Sequence, residues 1–178
     1  MATKYIYMTG VFEYAKVFEN NLDRGSDAPD AQDFMKRLYE RGGQTAVNFY
    51  PADNEEYQKL LDTGWVSLGK ATMGNQLLHE GNPEFGIGKY LVFKRPVQCP
   101  FPDKNGVPQD WKAMPDVKDM TNGSDAITDW DSSNLIGNGS KGVIKVSVYK
   151  VATGYAARLE ALAIEEHVEY ESEGGFGF

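Results

Sequence analysis

The chain has 178 residues, of which 41% are hydrophobic, with 19 Gly, 8 Pro and a net charge of −8. That length gives one sizeable core rather than two, and the Gly and Pro content favours many turns and short strands over long helices. No apolar run approaches the ~18 residues of a membrane-spanning helix, and Met1-Ala2-Thr3-Lys4 leads into alternating aromatics rather than an apolar signal core.

Residues 5–18 read as strand. Tyr5 and Tyr7 alternate with Ile6 and Met8, and beyond Gly10 the residues Phe12, Tyr14, Lys16 and Phe18 share one face. Gly10 marks a bulge or a break between two strands. Asn20-Asn21 and Gly25-Ser26 signal a loop. A short helix is predicted over 30–41, with Asp30 as N-cap, Phe34 and Leu38 at i, i+4, and Gly42-Gly43 as its stop. Residues 45–50 are β-branched and aromatic, a strand ending at Pro51. A second helix follows over 54–62, with Asp53 as N-cap, Glu56 completing a capping box, Gly64 closing it, and Tyr57, Leu60 and Leu61 as its apolar face.

Residues 65–68 read as a short strand, and 69–88 as loop or hairpin around Gly81-Asn82-Pro83. KYLVFKR at 89–95 is a strand stopped by Pro96. The stretch 99–133 holds four Pro and two Gly and reads as a long irregular excursion anchored by Trp111 and Trp130. Residues 143–150 give the clearest strand, with Ile144, Val146 and Val148 on one face and Lys145, Ser147 and Tyr149 on the other. Over 155–170 propensity favours helix, while Arg158-Leu159-Glu160-Ala161-Leu162 also fits the partner strand of a hairpin turning at Thr153-Gly154.

The acidic total conceals a segregated charge. Lys141, Lys145, Lys150 and Arg158 fall in a stretch without acids, as do Lys89, Lys94 and Arg95, whereas seven Asp lie over 103–131 and six Glu over 160–173. Such a distribution allows a basic face on an acidic body. A single cysteine, Cys99, excludes an internal disulfide and reads as a structural thiol in a reducing compartment.

Catalytic and metal patterns do not assemble. The histidines, His79 and His167, are far apart, and no HExxH, CxxC or GxSxG occurs. Gly86-Ile87-Gly88-Lys89 and Gly137-Asn138-Gly139-Ser140-Lys141 look like phosphate loops only faintly, without Walker spacing. Asp125, Asp129 and Asp131 lack the spacing and final Glu of a calcium loop and read as a solvated loop. What the strands do carry is interleaved rings and cations: Tyr14 with Lys16, Tyr90 with Lys94, Lys145 with Tyr149, each pair read as sharing a face. Single-stranded nucleic acid offers phosphates and unstacked bases, and such a surface meets both. The competing reading is that these aromatics are core residues of a β protein.

LIGNGSKGVIKVSVY at 135–149 resembles the signature of phage single-stranded-DNA-binding proteins of the OB-fold replication family, in which a Gly-rich turn with Gly-Ser precedes a strand of alternating basic and apolar residues. VNFYP running into 53–64 resembles the family's strand-then-helix element, 89–95 its following strand, Glu13-Tyr14-Ala15 its first strand, and 154–159 the segment that carries a basic residue into the last one. The helix over 30–41 is extra to the family pattern.

The resemblance implies a mainly β, OB-fold-like five-stranded barrel with one or two short helices and a long irregular loop, which replaces helix by strand at 155–170. It implies binding of single-stranded DNA with little sequence preference during phage DNA replication or recombination in the host cytoplasm. It implies no catalysis, cofactor, metal or membrane. Phosphate contacts are assigned to Lys16, Lys94, Lys141, Lys145, Lys150 and Arg158, and base stacking to Tyr14, Tyr90, Trp111 and Tyr149.

Residues 1–170 would form the DNA-binding domain, and 171–178 a short acidic, Gly-Phe tail whose Phe176 and Phe178 contact a polymerase and helicase. The resemblance also implies frequent dimerisation, here as a homodimer. The tail departs from the family in being short, with its last five residues uncharged. The acids over 165–173 either compete with DNA in cis or, over 165–170, complete the last strand. A β-rich structural or assembly protein that never meets DNA is the alternative function.

Overall fold

The computed structural model describes residues 3–65, 82–97, 103–107, 114–152 and 154–171. Its elements in chain order are β1 (Lys4–Lys16), α1 (Asp33–Glu40), β2 (Gln44–Pro51), α2 (Asn54–Leu61), β3 (Leu91–Pro96), β4 (Asp116–Asp119), β5 (Thr128–Asp129), β6 (Ser140–Val151) and β7 (Gly154–Glu166), with single 3-10 turns at Glu19–Asn21 and Pro83–Phe85. The predicted strand beyond Trp65, the loop over 69–81, Cys99, Trp111, Phe176 and Phe178 lie outside the described residues.

Alternation sets the inside. A strand must bury its apolar face, and β6 buries Ile144, Val146 and Val148 at 2% exposure or less, as its pattern predicts. Met8 and Phe12 from β1, Val47 and Phe49 from β2, and Leu91 and Phe93 from β3 meet them. Phe12, Phe49, Phe93 and Trp65 form a chain of rings with centroids 5.5, 6.4 and 5.8 Å apart.

The sheet has seven strands in the order β3-β2-β1-β6-β7-β4-β5. Every pair within the first five is antiparallel, so β3 and β7 run the same way at the two ends of that set. Those ends curl together. Arg95 on β3 donates to the Leu159 carbonyl at 3.5 Å and meets the Glu160 carboxylate of β7 at 3.3 Å. The fold is mainly β, of the α+β class, and OB-fold-like. Its seam is bridged by side chains rather than closed by a backbone ladder.

The last strand resolves the competition between helix and strand. β7 pairs with β6 from Val151 with Gly154 to Lys141 with Glu166. Val146 faces Leu159 while Lys145 faces Ala161, so Glu160 is an extra, bulged residue. The bulge brings Leu159, Leu162 and Ile164 all into the core. Here burial and pairing outweigh helix propensity.

Other predictions are adjusted by local chemistry. β1 runs unbroken through Gly10, where glycine is required because a side chain would strike the Tyr50 carbonyl and the Phe49 ring. Its bulge comes later: Glu13 faces Asn48 and Lys16 faces Ala46, with Tyr14 between them at φ 50°. Helix α1 starts at Asp33 with Gln32 at the cap, so Asp30 is not the cap.

In α2, Asp53 accepts the Glu56 N–H at 2.9 Å, but Glu56 does not return the bond to complete a box. Its carboxylate accepts the Thr9 N–H at 3.0 Å, and Lys59 donates to the Tyr7 carbonyl at 3.2 Å. β2 pairs with β1 only from Gly10 onward, so α2 serves the strand edge that β2 leaves open.

The excursion over 99–133 is partly regular, since β4 pairs parallel to β7 and β5 pairs with β4. Trp130 donates to the Asn134 carbonyl at 2.7 Å and packs on His167. After β7 the chain stays docked on the Gly-Ser turn. Val168 bonds Gly137 and Ser140, both at 2.9 Å, and Glu169 bridges to Ile136.

Candidate nucleic-acid interface

The outward face of the sheet carries what the core excludes. Pairing registers place Tyr5, Ser147 and Arg158 in one row across β1, β6 and β7, and Tyr7, Lys145 and Ala161 in the next. Both Tyr5 and Tyr7 are 55% exposed, far more than a core aromatic. The Lys145 ammonium lies 5.0 Å from the Tyr5 ring centroid and 5.6 Å from that of Tyr7. Such contacts keep a cation at a ring face without neutralising it. Tyr149, half-buried, extends the face toward the β6–β7 turn. Ala161 and Ala163 leave the adjoining floor low.

Arg158 is held rather than loose. Its Nε donates to Glu160 Oε1 at 2.7 Å, and the Ser147 hydroxyl donates to the same oxygen at 2.8 Å. Arg95 takes the other oxygen. Burial pushes the Glu160 carboxyl up, but the Ser147 and Arg158 hydrogen bonds and the two guanidinium charges outweigh it and hold the group below its ordinary value.

A second basic row lies toward the other end of β1, where Lys16 and Lys94 flank Ala46. Between the two patches stands an aromatic wall. Tyr50 is buried between Phe85 and Tyr90, with centroids 5.2 and 5.5 Å away, and donates to Glu13 at 2.9 Å. Burial, then the Glu13 hydrogen bond and charge, raise the Tyr50 phenol so that it stays protonated.

The structure therefore divides the residues singled out from sequence. Lys145, Arg158 and Tyr149 come together, as do Lys16 and Lys94. Lys141 shares the outward face, but its ammonium lies 3.2 Å from Glu84 and 4.0 Å from Glu166, in a cleft of about 220 Å³ also lined by Thr9 and Glu165. Lys150 sits opposite Tyr155 beside the turn, in the alternation of the inward residues, apart from Lys145. Tyr14 is 47% exposed, with its N–H donated to Asn138 at 2.7 Å; the bulge removes the simple alternation that placed it on one face with Lys16. Tyr90 packs on Tyr50.

Sequence reasoning missed Tyr5, Tyr7, Glu160 and Arg95. The i, i+2 spacing of the two tyrosines was visible, but their pairing opposite Ser147 and Lys145 was not. Among the described residues no group of three or more His, Cys, Asp or Glu is placed to hold a metal ion, and no helix is long and apolar enough to cross a membrane.

Fold and face together define a class: an OB-fold-like, curled sheet with rings and cations displayed on its outer face. No protein-family model matches the sequence, and no curated protein matches it. Among solved structures, the chain is similar in fold to the single-stranded DNA-binding protein from bacteriophage Enc34. For the C-terminal truncation of that protein the TM-score is 0.49 at 11% identity, covering 94% of this chain and 88% of the other. For its complex with single-stranded DNA the values are 0.46 and 10%, covering 94% and 89%.

Proposed function

We propose that this protein binds single-stranded DNA on the outward face of β1, β6 and β7, with little sequence preference. One observation carries the reading: the Lys145 ammonium beside two exposed rings, Tyr5 and Tyr7. Each unstacked base has a π-face that a tyrosine can meet, and each linkage a phosphate that a cation can meet. Neither contact reads base edges, so sequence matters little. Lys145 and Arg158 are the inner phosphate contacts, and Lys16 and Lys94 extend the track beyond Tyr50. Stacking falls to Tyr5 and Tyr7, assisted by Tyr149. The biological setting is protection of single strands during phage DNA replication or recombination, with polymerase and helicase contacts assigned to the C-terminal tail.

A salt titration with a fluorescent oligonucleotide tests the reading. Counterion release from single strands gives a slope near −0.7 per phosphate, so four contacts give about −3 in log affinity against log salt. Affinity independent of salt, or no binding at low salt, would overturn it.

A further inference from the structure

Glu160 is an acid on the face proposed to bind a polyanion, and elementary electrostatics casts it as an obstacle. The geometry points to the opposite: we infer that Glu160 is a positioning residue, holding Arg158 in the orientation in which it receives a phosphate. The inference rests on the DNA-binding reading above.

Its basis is how the guanidinium is held. An arginine has five N–H donors in a planar fork. Glu160 takes the single Nε donor of Arg158 at 2.7 Å, and among the described residues nothing takes the N–H groups of its two terminal nitrogens. Those are the groups that grip a phosphate bidentately. The Arg158 side chain is 39% exposed, while that of Glu160 is only 14% exposed. The acceptor is thus sunk and the donor head reaches solvent.

Glu160 is itself fixed from three directions: Ser147 on β6, Arg95 on β3, and the bulge in β7 that sets it apart from the regular ladder. Two guanidiniums against one carboxylate leave the cluster with net positive charge. The carboxylate therefore orders Arg158 without cancelling the local field, and a ready-ordered arginine loses less side-chain entropy on binding.

The test compares wild type, E160Q, S147A, R158Q and the double variants E160Q/R158Q and S147A/R158Q, each assayed for oligonucleotide affinity across salt and for thermal unfolding. E160Q raises the positive charge by one, yet it should weaken binding about fivefold to tenfold and make the salt slope shallower by about 0.7, the value of one lost phosphate contact. In the R158Q background E160Q should cost nothing more. A loss through destabilisation alone would persist there. S147A removes one anchor and no charge, and should give a smaller loss in the same direction, also absent beside R158Q, which keeps the test informative if E160Q folds poorly. Equal or tighter binding by both E160Q and S147A, with unchanged salt slope, would overturn the role of Glu160 while leaving the DNA-binding reading intact. Absence of oligonucleotide binding by folded wild type would overturn that reading, and this inference with it.

Discussion

Lys145 and Lys141 stand on the same strand, on the same face, one turn of the alternation apart from being neighbours, and their surroundings are opposite. Lys145 lies beside the rings of Tyr5 and Tyr7, which attract a cation and leave its charge intact. Lys141 lies beside the carboxylates of Glu84 and Glu166, delivered by the turn before β3 and by the end of β7. In sequence both belong to one basic, acid-free stretch. What distinguishes them arrives from distant segments, so the working charge of a residue is a property of the folded face.

This contrast can be broken in graded ways. The largest effect should come from neither lysine but from Ile144, which lies between them and points inward. Ile144→Ala should cost about 2–5 kcal/mol of stability through lost burial and a residual cavity. Denaturant unfolding should register it, with affinity unchanged while the chain is folded. Next, Tyr7→Ala should weaken oligonucleotide binding by about 1–3 kcal/mol with little change in melting temperature. Loss of stability without loss of affinity would return Tyr7 to a purely structural role.

Lys145→Gln should make the salt slope shallower by about 0.7, whereas Lys141→Gln should change affinity no more than about twofold, its exposed ion pairs being weak and already satisfied. If the two substitutions act alike, the carboxylates do not matter and the contrast fails. Removing Glu84 sharpens it: Glu84→Gln should recruit Lys141 and tighten binding modestly at low salt, an effect that vanishes as salt screens it.

The smallest effect concerns pH. The Glu160 carboxyl is held below its ordinary 4.5, so its stabilisation is complete above that value and is lost as pH falls through the lowered one. The stability difference between wild type and E160Q should be flat from pH 7 to pH 5 and shrink only below 4.5.

Much of the fold was legible because it depends on alternation and punctuation. Ile144, Val146 and Val148 announced the inward side of β6, and Asp53 announced the start of α2. Legibility ended where a single extra residue shifted the period. The bulge at Glu160 puts Leu159 and Leu162 on one side, a spacing that imitates a helix, and the family resemblance decided for strand there. The bulge after Glu13 likewise disturbed the expected sharing of a face by Tyr14 and Lys16. The candidate site was legible as a list of cations and rings, yet Tyr5 and Tyr7 were passed over because cross-strand register is written in no local pattern.

The sheet order has a consequence for how the protein is made. β1 is synthesised before β2 and β6 but sits between them, and β6 begins only at Ser140. At roughly 5–20 residues per second, the ribosome finishes β2 several seconds before β1 can receive its other neighbour. Through that interval Tyr5 and Tyr7 have emerged without Lys145 or Arg158, and β1 has an open edge. The rings at the start of the chain and the cations near its end become one surface only when the β6–β7 hairpin docks. A nascent chain, or one broken before β6, therefore carries the rings without the cations that complete the face.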